Sequence, residues 1–301
     1  MEREELELPD GDRLELHSVT APTGAPRLLL LHGLEGAASS HYVGGILAEA
    51  AAEGWGATLM VFRGCGDTVN SARRFYHSGE TSDVAYVHSA LRQRDPSVKW
   101  FAIGVSLGGN VLLKWLGEAG ETAGLVAAAA ISVPFDLEAG ARKISRGFAR
   151  IYDRNFLTTL RRKALLKLAR YPDLFDRAEL MRARNVFEFD EAVTAPVHGF
   201  TSAVDYYRRS SSSGFLTRIS VPTLLLSARN DPFLPSQVLD RVASIASTNP
   251  KLTLEFVSMG GHVGFVGGPW PWRPIYYAEK RAIAFLREWS ARAKGVSLRG
   301  S

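Results

Sequence analysis

Apolar and polar residues alternate along Glu5-Leu6-Glu7-Leu8 and again along Leu14-Glu15-Leu16, with Pro9-Asp10-Gly11-Asp12 between them. Period-two patterning on both sides of an Asp-Gly turn predicts a β-hairpin. The pattern then changes. Arg27-Leu28-Leu29-Leu30-Leu31 is continuously apolar, as expected for a strand covered on both faces, and it ends at His32-Gly33. A helix is expected near Ser39–Glu53, capped by Ser39 or Ser40. A second buried strand follows over Ala57–Phe62, broken by Arg63-Gly64-Cys65-Gly66. The rhythm continues with a helix near Ser82–Arg94, a strand over Lys99–Val105, a helix over Gly109–Leu116 and a strand over Leu125–Val133. Strand–helix alternation of this kind implies an α/β fold with a mostly parallel central sheet and helices on both faces.

At Pro134 the alternation stops. From Leu137 to about Arg184 apolar residues recur at helical spacing (Ile144, Phe148, Ile151; then Leu157, Leu160, Ala164, Leu168) among many Arg and Lys. Strand–helix order returns at Thr223–Ser227, with a helix near Ser236–Ala246, a strand over Leu252–Val257 and a last helix from about Ile275 to Ala291. Residues 135–215 therefore read as a helical cap inserted into one domain spanning residues 1–301. The Ile144, Phe148, Ile151 stripe is expected to face the cavity under that cap, leaving an Arg-rich face in water.

Charge sharpens this division. The chain carries 36 Lys/Arg against 31 Asp/Glu, a net +5. Leu137–Asn185 alone holds thirteen basic against five acidic residues, so the remainder is slightly acidic. One basic helical segment with no RNA-binding or zinc-finger motif beside it argues against a nucleic-acid partner. Solvated helix faces are the ordinary use of such charge, and contact with a membrane surface is a further one. The single cysteine, Cys65, excludes an intrachain disulfide and fits a reducing, cytoplasmic setting. Met1–Leu16 lacks the basic and apolar regions of a signal peptide, and no apolar run is long enough to span a membrane, so a soluble protein is expected.

Gly104-Val105-Ser106-Leu107-Gly108 lies at the junction between a buried strand and a helix. That is G-x-S-x-G in the setting where small flanking residues permit a sharp turn and hold a serine hydroxyl above the strand end. The spacing is wrong for a dinucleotide turn, and the Gly-Lys-Ser/Thr of a phosphate loop is absent. A serine hydroxyl needs a base, and the base needs an orienting acid. Asp231 follows the strand Thr223–Ser227, and His262 follows Leu252–Val257 between glycines. Ser106, Asp231 and His262 thus occur in the order Ser, Asp, His with each residue after a strand. The rival acids Asp205 and Asp240 and the rival base His198 fall inside the insertion or a helix.

Two backbone donors for an oxyanion are expected at the amides of Leu107 and Leu34, the latter in the loop His32-Gly33-Leu34-Glu35-Gly36. His32 and His77 read as loop anchors and Cys65 as a small packed residue. No H-E-x-x-H or comparable spacing points to a metal, and no cofactor is expected.

The chain resembles YheT-type α/β-hydrolases, a branch that includes eukaryotic ABHD phospholipase-like proteins and yeast medium-chain ester synthases. The resemblance rests on His32-Gly33-Leu34-Glu35-Gly36, Ser40-His41-Tyr42, Phe62-Arg63-Gly64-Cys65-Gly66, Phe75-Tyr76-His77-Ser78-Gly79 and Gly104–Asn110. It continues in Ser132–Leu137, Asp205-Tyr206-Tyr207-Arg208, Asp231-Pro232-Phe233 and Gly260–Phe265. Asp67 stands where a second glycine is common. The resemblance implies the α/β-hydrolase fold, the same Ser106, Asp231, His262 triad and hydrolysis of carboxylic esters; a small-molecule or lipid ester of short to medium acyl length is the expected substrate. Acyl transfer to an alcohol and phospholipase-like activity belong to the same branch. A binding module without catalysis is the remaining alternative.

Overall fold

A computed structural model describes residues 1–268 and 274–293. The apolar runs become the interior strands of an eight-stranded sheet. Its strands are β1 (Glu2–Glu7), β2 (Arg13–Val19), β3 (Arg27–Leu31), β4 (Gly56–Met60), β5 (Trp100–Val105), β6 (Ala127–Ile131), β7 (Thr223–Ala228) and β8 (Leu252–Val257). Their spatial order is β1-β2-β4-β3-β5-β6-β7-β8. β1 and β2 form the expected antiparallel hairpin, β2 runs antiparallel to β4, and every pairing from β4 to β8 is parallel. Leu28–Leu31 and Trp100–Val105 are buried throughout, which is why their sequences run apolar without alternation.

Helices α1 (His41–Ala52), α2 (Ser82–Arg94) and α3 (Leu107–Ala119) connect the first parallel strands. α1 packs against the chain's last described helix, and α2 packs against α3. The alanines of β6 (Ala127–Ala130) leave room for helices to lie close to the sheet. From β3 the chain crosses to β4 on one side and later to β5 on the other. The carboxyl ends of β3 and β5 therefore flank the crevice where strand order reverses, the place where open α/β sheets bind ligands.

Between β6 and β7 the chain is helical: α4 (Leu137–Ile144), α5 (Arg150–Arg170), α6 (Arg177–Arg182), α7 (Val186–Phe189), α8 (Ala195–Val197) and α9 (Ala203–Ser210). A π-helical turn, Asp190–Thr194, joins α7 to α8. These helices have their own apolar clusters. Leu157, Ala164, Leu180 and Val193 pack together under Phe75, and Leu137 packs with Ala203, Tyr206 and Tyr207. α10 (Ser236–Ala246) and α11 (Tyr277–Arg292) are the last helices described, and β9 (Val266–Gly267) pairs antiparallel with β10 (Ile275–Tyr276) before α11. No described helix is long and apolar enough to cross a membrane.

One sequence expectation is overturned here. Ile144 is buried, but Phe148 is 79% exposed and Ile151 59% exposed, so the three do not share an inward stripe. Gly147 takes φ +55 and begins a short 3₁₀ turn over Gly147–Ala149. That turn separates α4 from α5 and resets the helical phase. The periodicity counted across it belongs to two helices, not one.

Candidate active site

Among the described residues, four non-glycine residues adopt positive φ: Glu35, Ser106, Ser132 and Phe265. Each lies on a loop that follows the carboxyl end of a parallel strand, namely β3, β5, β6 and β8. Left-handed backbone is disfavoured for residues with a Cβ, and such conformations gather where a site has to be held in one shape. Local strain therefore marks the same edge of the sheet as the strand order does.

Ser106 sits at φ +54, ψ −120, between β5 and α3. Its N–H donates to Ile131 O at 2.8 Å, fixing the turn to the neighbouring strand β6. Glycines let α3 press onto the sheet. A Cβ on Gly104 would lie 2.5 Å from Gly108 O, and one on Gly108 would lie 2.5 Å from both Leu31 O and His32 O. The obstacles are backbone atoms of neighbouring buried segments, which cannot rotate away. Gly108→Ala is accordingly expected to lower stability by about 3 kcal/mol, the upper end of the usual cost of overpacking. Gly44→Ala, in open space on α1, is the control and should be neutral or slightly stabilising. Urea denaturation of both variants checks this, and equal effects would mean that the contact at Gly108 relaxes.

The structure brings Ser106, Asp231 and His262 into one hydrogen-bonded line. His262 Nδ1 lies 2.8 Å from Asp231 Oδ2, and His262 Nε2 lies 2.9 Å from Ser106 Oγ. A carboxylate accepts only, so Nδ1 carries the proton and Nε2 is left to accept from the serine hydroxyl. Asp231 is buried, and its other oxygen accepts from Phe233 N–H at 2.7 Å. Asn230 braces both loops, since its side-chain oxygen accepts from the N–H groups of Gly260 and Gly261. Phe233 packs its ring 4.3 Å from the His262 imidazole.

The rivals lie elsewhere. Asp205 is held by Arg208 and Arg209, and Asp240 pairs with Arg229 at the surface. His198 packs against His77 with ring centroids 4.4 Å apart, and burial holds it down to about 4, so it stays neutral. His77 accepts from Gly79 N–H, as an anchor would, and its ring also forms part of the cavity wall described below.

The loop after β3 is fixed by groups from three directions. His32 is fully buried and held down to about 4 by burial. Its Nδ1 donates to Gly33 O at 2.7 Å while Nε2 accepts from Phe62 N–H at 3.0 Å, which makes it a neutral structural anchor. Gly33 N–H donates to the Tyr42 hydroxyl and Glu35 N–H to the Tyr76 hydroxyl. The amide between them, on Leu34, has no hydrogen-bond partner among the described residues, nor does the Leu107 amide at the start of α3.

Sequence reasoning missed what braces this loop. Glu35 Oε1 accepts from Tyr76 OH at 2.9 Å and from Lys163 Nζ of α5 at 2.8 Å. Cys65 lies against the same pair, buried, its thiol pushed up to about 12 by burial. It is therefore a packed thiol rather than a thiolate. Arg63, fully buried, ties the loop after β4 to Asp83 at 2.6 Å and to Asp12 of the first hairpin at 2.7 Å. None of these long-range ties has a local sequence signal, because each partner is named only by the fold.

Ser106 and His262 open into a cavity of about 540 Å³. Leu34, Tyr42 and Tyr76 wall one side, and Ile144, Phe156 and Leu160 from α4 and α5 wall another. Phe148 and Ile151 take no part in it. Asp190, on the π-helical turn, also reaches the wall, where Thr194 and Tyr207 donate to its two oxygens at 2.6 and 2.5 Å. Burial pushes its carboxyl up to about 6. No cluster of three or more His, Cys, Asp or Glu suited to a metal occurs among the described residues.

Comparison with known proteins agrees with this architecture. A family described as the alpha/beta hydrolase fold matches residues 26–269. YheT of Escherichia coli (strain K12) is 40% identical over 268 residues, covering 87% of this chain and 78% of that protein. Phospholipase ABHD3 of Mus musculus is 30% identical, with 83% of this chain and 61% of that protein aligned. Monoacylglycerol lipase of Saccharomyces cerevisiae is 32% identical, with 80% and 55% aligned. The chain thus spans little more than half the length of those two eukaryotic relatives. Among solved structures, the Pyrococcus furiosus esterase PF2001 superposes with a TM-score of 0.63 at 17% identity, covering 96% of this chain and 90% of that one. Sheet order, a serine on a strained turn after β5 and these matches lead to one conclusion: the chain is a YheT-type member of the α/β-hydrolase fold family.

Proposed function

We propose that the protein is a serine hydrolase that cleaves carboxylic esters through an acyl-enzyme on Ser106. The observation that carries this reading is the line Asp231–His262–Ser106, with an imidazole nitrogen 2.9 Å from the serine oxygen, at the wall of a largely apolar cavity. As Ser106 Oγ attacks the ester carbonyl, His262 Nε2 takes its proton. Asp231 holds the imidazole in the right tautomer and stabilises its charge. The N–H groups of Leu34 and Leu107 receive the oxyanion. Collapse of the tetrahedral intermediate breaks the bond to the alcohol, which leaves with the proton from His262. Water then attacks the acyl-Ser106 ester with His262 as base, releasing the acid and restoring the serine. No step calls for a cofactor.

In this reading residues 1–301 form one hydrolase domain, and the helices within 135–215 are its cap. A cavity of about 540 Å³ is in the range that encloses a drug-sized ligand, and its walls suit a short to medium acyl chain. Relatives named as a phospholipase and a monoacylglycerol lipase support a lipid ester as substrate. A fluorophosphonate probe should label the wild-type chain on Ser106. A series of p-nitrophenyl esters from acetate to decanoate should show turnover that peaks within the series. Absence of both labelling and turnover would return the protein to a binding role. Ethyl ester formation outrunning hydrolysis when ethanol is added would make it an acyltransferase.

A further inference from the structure

The outer face of the cap combines features that the hydrolytic reading leaves unused. Phe148, Ile151 and Tyr152 are exposed together where the 3₁₀ turn meets α5. Single exposed apolar residues are ordinary, but three large ones on adjoining turns form a patch. Lys143, Arg146, Arg150 and Arg154 flank it, all exposed, and none has an ion-pair partner among the described residues. Beside the patch lies a second cleft of about 510 Å³, whose basic lining is Arg150, Arg154, Arg161 and Arg184.

That cleft also holds two acids, and both are already engaged. Asp153 is buried and accepts from Val186 N–H at 2.9 Å. Glu188 accepts from Arg184 N–H at 2.7 Å and from the Asn185 side chain at 3.0 Å. Four guanidinium groups against two occupied carboxylates leave the cleft basic. Arg161 donates from Nη2 to Ala183 O, and its Nε is buried without a partner among the described residues. Arginine forks match phosphate oxygens in shape as well as charge.

We propose that this face docks on an anionic phospholipid bilayer, with Phe148 and Ile151 entering the acyl layer and the arginine cleft taking lipid phosphates. Cations ringing an apolar protrusion complement a surface that is negative outside and apolar beneath. The position adds a reason. Tyr152, on the same turn as Ile151, also lines the catalytic cavity. Its ring lies 5.1 Å from Phe233, and Phe233 lies 4.3 Å from the His262 imidazole. Docking through this turn sets the rim of the cavity beside the bilayer, where a lipid ester enters. The use of the surface rests on the ester-hydrolase reading, but the binding itself does not.

The test uses the full chain carrying Ser106→Ala, so that vesicles stay intact. It is sedimented with vesicles of phosphatidylcholine alone and of phosphatidylcholine mixed with phosphatidylglycerol. The expected result is sedimentation with the anionic vesicles in dilute salt and release in concentrated salt. Phe148→Ser with Ile151→Ser, and separately Arg150→Glu with Arg154→Glu, should each weaken partitioning roughly tenfold or more. None of the four side chains lines the catalytic cavity, so on the wild-type background the melt and the turnover of soluble p-nitrophenyl butyrate should hold. Equal sedimentation with both vesicle types, or indifference to both pairs of substitutions, overturns the proposal. So does binding of inorganic phosphate without vesicle binding, which would make the cleft a site for a free anion. A failed esterase reading shows instead in the soluble-ester assay, whatever the vesicles do.

Discussion

Ser106→Ala is expected to lower kcat on p-nitrophenyl butyrate by roughly a millionfold, the scale of nucleophile removal from a Ser–His–Asp site. The amides proposed as oxyanion donors and the cavity remain, so hydrolysis falls to the slow attack of water bound in the site. Fluorophosphonate labelling should vanish with it. Stability tells a second story. Alanine keeps the Cβ at φ +54, ψ −120 and therefore keeps the strain of the turn. Ser106→Gly, equally inactive, releases that strain and should melt higher than Ser106→Ala, by about 1 kcal/mol after the entropy cost of glycine. Labelling that persists in Ser106→Ala would show that another nucleophile reacts. A glycine variant less stable than the alanine variant would show that the turn is not strained in solution.

What the sequence made legible follows from how local each signal is. Continuous apolar runs at Leu28–Leu31 and Thr223–Ser227 mark strands buried on both faces, and both strands occur where the runs lie. Ser106 is legible because a turn between strand and helix requires small neighbours, and Gly104, Gly108 and Gly109 meet backbone or packed side chains within 3 Å of any added Cβ. Asp231 and His262 are legible because both follow strands. By contrast, the tie from Lys163 to Glu35 joins residues 128 apart, and nothing near either names the other. Asp190 is hidden for a different reason. A carboxylate in an amphipathic helical run reads as a solvated group, and only the π-helical turn and the hydroxyls of Thr194 and Tyr207 make it an inward one.

The failed stripe is instructive for the same reason. Helical periodicity is evidence only while the helix is unbroken. α4 ends at Ile144 and Gly147 at φ +55 opens the 3₁₀ turn that starts a new phase, so Ile144 points to the cavity while Phe148 and Ile151 point to solvent. A glycine within an otherwise good helical pattern was the available signal. It converts residues expected to touch an acyl chain into candidates for touching the membrane that supplies it.

Asp231→Asn is expected to leave a folded protein slowed by about 10⁴-fold in kcat. Fold survives because the amide oxygen can still accept from Phe233 N–H, the bond that shapes the loop. Chemistry suffers because Oδ2 is what keeps the proton on His262 Nδ1. An amide NH₂ in that place is a donor, and the imidazole answers by moving its proton to Nε2. Nε2 then points an N–H at Ser106 Oγ and can no longer take the serine proton. The charge that stabilised the imidazolium is lost at the same time. Asp240→Asn breaks only an exposed pair with Arg229, and Asp205→Asn loosens the start of α9 without touching the hydrogen bonds of His262, so both should keep near-wild-type turnover. Steady-state kinetics and thermal melts of the three variants separate the cases. If Asp205→Asn or Asp240→Asn is the more damaging at equal stability, then His262 takes its orientation from a different acid, and the hydrogen bond to Asp231 is only a loop tie.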